Sequence, residues 1–157
     1  MQTRYVVDTN IIVQWLLKPD GLAGKIIKSS ELELFTPNKA IDELWENSKD
    51  WSGKKIDINF KQFTSALGEY IVIVDPPYDG QAMRKARSAI EPIDPEDVEF
   101  LAVAMMKDAD IWSYDHHFKK QKLVRVVDNL DILKMSPENP ALHLARGNQY
   151  RRQVGNY

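Results

Sequence analysis

The chain has 157 residues, of which 43% are hydrophobic, and this is enough for one domain with a sizeable core. The absence of cysteine excludes a disulfide framework, a thiolate metal site and a cysteine nucleophile. No run of about 18 apolar residues is present, so we expect no membrane span. The first residues lead directly into a strand-like run rather than a secretory signal, which favours a cytoplasmic protein.

The net charge of -2 conceals an uneven distribution. Residues 1–115 carry 13 basic against 20 acidic side chains, whereas residues 116–157 carry 8 against 3. An acidic body with a basic tail is compatible with a cation site beside a surface that binds a polyanion such as a nucleic acid. Surface charge also segregates by chance in small proteins, so the distribution alone does not establish nucleic-acid binding.

The N-terminal half alternates short apolar strands with amphipathic helices. Its predicted elements are a strand at 4–7, a helix ended by the turn at 19–21, a helix at 22–29, a strand at 32–36 and a helix at 37–49. Either Thr9 or Asn10 supplies the side chain that caps the first helix. A polar loop at 52–55 separates these elements from an amphipathic helix at 59–70.

The C-terminal half continues the alternation. Its predicted elements are a strand at 71–74, a helix at 81–90, a helix with the apolar run 98–106, strands at 111–113 and 123–127, and a short helix at 129–135. From residue 136 the composition turns to Pro, Asn, Arg and Gln, which predicts an extension with little core of its own. We therefore divide the chain into a domain at 1–135 and a C-terminal extension at 136–157.

Short apolar strands that alternate with helices are typical of a parallel sheet covered on both faces. The pattern predicts a three-layer α/β/α sandwich whose central, mostly parallel sheet has about five short strands. In open sheets of this kind, ligand sites form at the carboxyl ends of the strands.

Acidic residues occur where the predicted sheet would bring them to that edge. Asp8 ends the first strand, Asp115 lies just past the strand at 111–113, and Asp97 lies in the first turn of the helix that follows the loop at 91–93. An unpaired carboxylate is costly between a strand end and a buried helix, so Asp8 is difficult to explain by structure alone. Hard oxygen ligands around a dry pocket favour Mg²⁺ or Mn²⁺ over zinc.

The other carboxylates also have structural explanations. Asp94 is well placed as a helix N-cap, with Pro95 at the first helical position. Asp97, three residues later, could complete a capping box or interact with the helix dipole. Asp115 could be an ordinary turn residue.

Residues around these carboxylates leave further alternatives open. On the third helix, periodicity places Asp42 and Glu43 equally far from the apolar face and does not choose between them. His116 and His117 could bind a metal or a phosphate, although adjacent histidines after a strand are more often solvated. Four basic residues beyond that strand form either a contact with an RNA backbone or a solvated charged turn: Lys119, Lys120, Lys122 and Arg125.

Four short motifs, in this order, resemble those of the PIN-domain nucleases, a family that includes the toxins of prokaryotic toxin–antitoxin pairs. The motifs are Val6-Val7-Asp8-Thr9-Asn10, Glu43-Leu44, Asp97 ahead of Leu101-Ala102-Val103-Ala104, and Ser113-Tyr114-Asp115. Ser113 stands where the family more often has threonine, and it keeps the hydroxyl. The resemblance spans residues 4–135 and leaves the extension at 136–157 without a counterpart.

The resemblance implies a metal-dependent endoribonuclease that hydrolyses RNA phosphodiester bonds. Carried over by position, its metal-binding and catalytic residues are Asp8, Glu43, Asp97 and Asp115. The supporting polar groups are Asn10, Ser113 and Asp94. Either Asp94 or Asp97 could reach the metal, and the spacing of Asp97 to Ala102 ranks it first.

The same resemblance implies one or two Mg²⁺ or Mn²⁺ ions, about 4 Å apart when both are bound, that activate the attacking water. It also implies an RNA substrate, an antitoxin partner and a homodimer. Two alternatives remain at this point. One is a PIN-like domain that binds RNA or protein without cleavage. The other is an aspartate-nucleophile phosphatase, which usually needs a second acid where this chain has Asn10.

Overall fold

A computed structural model of the protein describes residues 3–51 and 60–135. Its strands are β1 Thr3–Val7, β2 Leu32–Thr36, β3 Ile71–Ile73, β4 Asp110–Trp112 and β5 Val126–Val127. Its α-helices are α1 Thr9–Leu17, α2 Leu22–Ile27, α3 Asn38–Trp51, α4 Phe60–Tyr70, α5 Gln81–Ile90, α6 Val98–Lys107 and α7 Asn129–Met135. The loop predicted at 52–55, the start of the helix predicted at 59–70 and the extension at 136–157 lie outside the described residues.

Every strand pairing in the sheet is parallel, and the strand order is β3-β2-β1-β4-β5. The chain builds the sheet outward from β1 to β3 and then returns to add β4 and β5 on the other side of β1. The order therefore reverses between β1 and β4, where Val7 is in register with Trp112. Such a reversal leaves a crevice at the carboxyl ends of the strands, so the residues that follow β1 and β4 meet there.

Helices cover both faces of this sheet. Helices α5 and α6 pack together, and α6 lies against β1 and β4. Helix α1 contacts α2 and α3, while α7 contacts α2 and β5. The central strands are apolar on both faces, as a doubly covered parallel sheet requires: Tyr5, Val6, Val7, Ile111 and Trp112 are all buried. The predicted three-layer α/β/α sandwich is confirmed, and its sheet is parallel throughout.

The strand predicted at 123–127 is shorter than expected. The side chain of Gln121 binds the backbone that precedes β5: its Nε2 donates to the carbonyl of Val124, and its Oε1 accepts from the amides of Leu123 and Val124. These backbone groups are thereby satisfied locally, and regular pairing is limited to Val126–Val127.

Among the described residues, no helix has the length and apolarity that a bilayer crossing would require.

Helix α2 approaches the preceding turn so closely that only glycine fits at one position. A Cβ atom at Gly24 would lie 2.3 Å from the carbonyl oxygen of Pro19 and 2.9 Å from Cδ1 of Trp15. Gly68 in α4 is also helical, but a Cβ atom there would meet nothing within 4 Å. The two glycines therefore separate the effect of packing from the effect of helix propensity.

We expect Gly24→Ala to lower the free energy of unfolding by about 1–3 kcal/mol, because the backbone of α2 or the turn must move. The matched substitution Gly68→Ala should raise it by roughly 0.5–1 kcal/mol, because alanine loses less backbone entropy in a helix. Urea-induced unfolding of both variants measures the difference. A Gly24→Ala variant as stable as Gly68→Ala would contradict the close approach of α2 to Pro19.

Candidate metal centre

Asp8 lies directly after β1, where hydrogen bonds hold both its amide and its carboxylate. Its amide donates to the carbonyl of Trp112 (3.0 Å), while its Oδ1 accepts from the amide of Thr9 (2.7 Å) and its Oδ2 from the hydroxyl of Ser113 (2.5 Å). The bond from Thr9 makes Asp8 the N-cap of α1. The prediction that Thr9 or Asn10 caps this helix was therefore wrong, because the helix begins one residue earlier than the apolar pattern.

Ser113 joins the ends of β1 and β4. Its side chain is buried, and its hydroxyl both donates to Asp8 and accepts from the amide of Asp115 (2.9 Å). One hydroxyl group thus connects the two strand ends from which the predicted carboxylates project. Asp8 and Asp115 lie at the same edge of the sheet, as the parallel strands led us to expect.

Glu43 reaches this edge from α3. Its Oε2 accepts a hydrogen bond of 2.5 Å from the hydroxyl of Thr9. Glu43 is partly buried, whereas Asp42 is exposed, so the structure distinguishes the two acids that the helical wheel could not. Sequence reasoning missed the role of Thr9, because its partner is 34 residues away. The one indication in the sequence was that Thr9 directly follows Asp8.

Asp94 precedes a short 3-10 turn, Pro95–Asp97, and Asp97 ends it, ahead of α6. The Oδ1 of Asp94 accepts from the amide of Glu96 (3.0 Å), which confirms the predicted N-cap. Asp97 is only 6% exposed, and its Oδ2 finds no hydrogen-bond partner among the described residues. A buried carboxylate oxygen without a partner is costly unless a cation neutralises it.

His117 adds an imidazole to the carboxylates. Its Nδ1 lies 2.9 Å from Oδ2 of Asp94 and 3.5 Å from Oδ1 of Asp115, and its amide donates to the same Asp115 oxygen (2.9 Å). Asp94, Asp97, Asp115 and His117 each offer one ligand atom, and these atoms all lie within 4.8 Å of one another. The structure therefore brings Asp94 and Asp97 together, although the sequence presented them as alternatives.

The pKa of Asp97 records this crowding. Burial raises it to about 8, and the negative charges of Asp94, Asp115, Asp8 and Glu43 contribute, in that order. Asp97 thus experiences the field of four other carboxylates at this edge. The cluster is electrostatically unfavourable in its ionised form without a cation.

Asp8 and Glu43 show the same effect in weaker form. Burial raises the pKa of Asp8 to about 6, against the opposing hydrogen bonds from Ser113 and Thr9. Burial also raises the pKa of Glu43; the charge of Asp8 adds to the shift, while the Thr9 hydroxyl and Lys39 oppose it. Carboxylate oxygens are the ligands that Mg²⁺ and Mn²⁺ prefer, and an imidazole suits Mn²⁺, so the residues present fit a divalent cation.

An open acidic groove of about 430 Å³ extends from Glu43 along α3. Six carboxylate residues line it: Asp42, Glu43, Glu46, Asp75, Glu96 and Glu99. Lys39 also lines the groove, and its Nζ lies 2.6 Å from Oε2 of Glu96, linking α3 to the 3-10 turn. Sequence reasoning did not single out Lys39, because nothing along the chain indicates that α3 faces residues 95–97.

Two predicted site residues make no hydrogen bond to the cluster within the described chain. Asn10 is exposed in the first turn of α1, and its side chain makes no hydrogen bond to a carboxylate within residues 3–51 and 60–135. Arg125 pairs with Asp110 through Nε (2.9 Å) and Nη2 (2.5 Å). Asp110 begins β4, so Arg125 lies at the amino-terminal edge of the sheet, opposite the carboxylates.

The three predicted RNA-contacting lysines are all exposed. Lys119 and Lys120 belong to the 3-10 turn Phe118–Lys120, which begins immediately after His117. Lys122 follows two residues later, beyond the turn. Of these three lysines, Lys119 and Lys120 therefore lie nearest in the chain to His117 of the cluster.

The raised pKa values of Asp8 and Asp97 predict that the metal-free protein loses stability as the pH rises. Each folded-state pKa exceeds the usual value of 3.8, so the folded state binds more protons than the unfolded state. This stabilisation is present below about pH 4 and is lost as the pH passes about 6 for Asp8 and about 8 for Asp97. Thermal unfolding in EDTA should show Tm falling across this interval.

The variant Asp97→Asn tests the same effect directly. In EDTA at about pH 8.5 it should raise the free energy of unfolding by about 1–2 kcal/mol, because an uncompensated buried charge is removed. For a chain of this size this corresponds to roughly 3–6 °C in Tm. Asp20→Asn, in the exposed turn between α1 and α2, is the matched control. A lower Tm for Asp97→Asn under these conditions would contradict a destabilising charge at Asp97.

Several proteins of known structure have a similar fold. The chain resembles the solved structures of VapBC-1 from nontypeable Haemophilus influenzae (18% identity, TM-score 0.59, covering 82% of this chain and 99% of that one) and of PAE2754 from Pyrobaculum aerophilum (19%, 0.56, 86% and 96%). VapBC2 from Rickettsia felis, bound to a promoter DNA fragment, is also similar (14%, 0.57, 80% and 98%). At these identities the likeness concerns the fold.

No curated protein matches the sequence at a significant level. A family model matches, however, and its description is that of the PIN domain. The match covers residues 6–131, which is most of the chain and includes the carboxylates of the cluster together with His117. The protein belongs to the PIN domain family.

Proposed function

We propose that the protein is a metal-dependent endoribonuclease that hydrolyses RNA phosphodiester bonds at the carboxylate cluster. The observation that carries the proposal is the buried Oδ2 of Asp97, which lacks a hydrogen-bond partner and is surrounded by further carboxylates. Perturbed carboxylates in a crevice are typical of functional sites. Stability offers no reason to assemble them, because like charges in a buried site destabilise the fold.

Asp8, Glu43, Asp97 and Asp115 are the proposed metal-binding residues. When bound, Mg²⁺ or Mn²⁺ supplies a water of lowered pKa and offsets charge on the phosphate that is cleaved. The Ser113 hydroxyl fixes the orientation of Asp8, and the Thr9 hydroxyl fixes that of Glu43. Their hydrogen bonds keep the carboxylates in place before substrate binds, as catalysis requires.

Substrate contacts outside the cluster are proposed for exposed side chains at the same edge. Lys119 and Lys120 follow His117 in an exposed turn and would neutralise backbone phosphates, with Lys122 further away. Asn10 is exposed after Asp8 and would contact the nucleotide. Arg125 is not part of this group, because its pairing with Asp110 holds it at the opposite edge of the sheet.

We further propose a protein partner of the antitoxin type and a homodimer. Several solved relatives are, by name, VapBC assemblies. The groove beside Glu43 carries six carboxylates and would accept a basic segment of such a partner. The division into a domain at 1–135 and an extension at 136–157 is also part of the proposal, and the family match, which ends at residue 131, supports it.

Purified protein with Mn²⁺ should cleave labelled RNA to products with 5′-phosphate and 3′-hydroxyl ends. Asp8→Asn and Asp97→Asn should each reduce the rate by about 100-fold or more, because a ligand of the cation is lost. Asp20→Asn, in an exposed turn, should retain the native rate. Gel analysis of time courses with Mn²⁺ and with EDTA measures these rates.

Three results would reject the nuclease. Cleavage that survives both EDTA and Asp97→Asn would indicate a contaminating enzyme. RNA binding without cleavage would favour the non-catalytic RNA-binding domain. Turnover of p-nitrophenyl phosphate without RNA cleavage would favour the aspartate-nucleophile phosphatase.

Expression of the native chain in a bacterial host should arrest growth if the protein acts as a toxin. Asp97→Asn should allow growth at the rate of the empty vector, because the cation site is impaired while the fold is retained. Coexpression of the product of the neighbouring reading frame should relieve the arrest. Growth curves with matched expression levels provide the measurement, and equal arrest by the native protein and Asp97→Asn would count against a nuclease toxin.

A further inference from the structure

We propose that His117 is a direct cation ligand, and that with Asp94, Asp97 and Asp115 it forms a site selective for a first-row transition metal such as Mn²⁺ over Mg²⁺. The inference rests on the proposed metal-dependent function and specifies which cation that function uses. It adds a nitrogen ligand and a further carboxylate to the four acids that the family resemblance assigns. Asp97 is shared with the oxygen-only group formed by Asp8 and Glu43.

The separations of the ligand atoms suit a single cation. One atom from each of the four residues lies within 4.8 Å of the others, and the shortest separations involving His117 are 2.9 Å to Asp94 and 3.5 Å to Asp115. Six ligands at about 2.1 Å from a common centre lie roughly 3–4.2 Å from one another. Side-chain movements of a few tenths of an ångström would therefore bring this group to the geometry of a coordination sphere.

The unpartnered oxygen of Asp97 favours a bound cation over a simple ion pair. A protonated His117 would neutralise Asp94 and Asp115, to which its ring already lies close. It would leave Oδ2 of Asp97 buried and without a hydrogen bond. A cation held by all four residues would neutralise the Asp97 carboxylate to which that oxygen belongs, which an ion pair between His117 and Asp94 does not.

The backbone holds the proposed ligands in position. Asp94 caps the 3-10 turn through its Oδ1, which leaves Oδ2 directed at His117. Asp115 accepts the amide of His117, so the histidine and its neighbouring carboxylate belong to one tight turn. Ligands that are oriented by such hydrogen bonds bind metals more tightly than free side chains.

The donor set determines which cation is preferred. Mg²⁺ binds oxygen almost exclusively and parts with its water reluctantly, whereas imidazole suits first-row transition metals. His117 therefore increases the affinity of the site for Mn²⁺ more than its affinity for Mg²⁺. Asp8 and Glu43 offer only oxygen ligands and would not discriminate in this way.

Pulsed EPR of Mn²⁺ bound to tag-free, full-length protein tests the proposal without reference to activity. Electron spin-echo envelope modulation should reveal a directly coordinated ¹⁴N nucleus in the native protein. His117→Gln should abolish this modulation, while His116→Gln, which alters the adjacent exposed histidine, should retain it. Isothermal titration should show that His117→Gln lowers Mn²⁺ affinity by about tenfold or more and changes Mg²⁺ affinity far less.

Bound Mn²⁺ without nitrogen modulation in the native protein would overturn the proposal, as would modulation that persists in His117→Gln. If His117→Gln fails to fold by circular dichroism, Asp94→Asn replaces it. That substitution should weaken the modulation, because it removes a ligand of the same cation and the partner that orients the ring.

RNA cleavage distinguishes failure of this inference from failure of the proposed function. Cleavage that requires Mn²⁺, in a protein without nitrogen coordination, would leave the nuclease intact and remove His117 from its site. Nitrogen-coordinated Mn²⁺ in a protein that never cleaves RNA would retain the metal site and reject the nuclease. Absence of any Mn²⁺ binding would reject the inference.

Discussion

The burial of Asp97 and Asp8 among further carboxylates is the constraint on which this site depends. Asp97 feels the charge of four other acids, and one of its oxygens has no hydrogen-bond partner in the described chain. The hydroxyls of Thr9 and Ser113 donate to Glu43 and Asp8, but within residues 3–51 and 60–135 no donor reaches Oδ2 of Asp97. Hydrogen bonds thus stabilise the outer carboxylates, Asp8 and Glu43, whereas the central Asp97 requires a cation to neutralise it.

The sheet topology makes this concentration of charge possible. Because the strand order reverses between β1 and β4, the residues that follow these strands share one crevice. Ser113 and the Asp8 amide, which binds the carbonyl of Trp112, tie the two strand ends together. Helix α6 brings Asp97 to the same edge, and α3 adds Glu43. The apolar strands therefore hold close together carboxylates that would otherwise repel one another.

Much of this arrangement could be predicted from the sequence, because short apolar strands that alternate with helices indicate a parallel sheet, and this pattern is local in the chain. The sandwich and the edge to which Asp8 and Asp115 belong follow from those rules. Glu43 could not be separated from Asp42 by periodicity, since the distinction depends on a hydroxyl 34 residues away. The contact of His117 with Asp94 spans 23 residues and was equally invisible. The side chain of Gln121 also accepts from backbone amides ahead of β5, so this strand is shorter than its β-propensity indicates.

The long sequence separation of the site residues has a consequence for the newly made chain. The hydrogen bond between Ser113 and Asp8 closes a loop of 105 residues, and β4 can pair with β1 only after nearly all the domain has been synthesised. Contacts of such separation form late and slowly in folding. A nascent or truncated chain that carries Asp8 and Glu43 therefore holds no complete cluster. The complete set of site residues therefore comes together only once β4 has paired with β1.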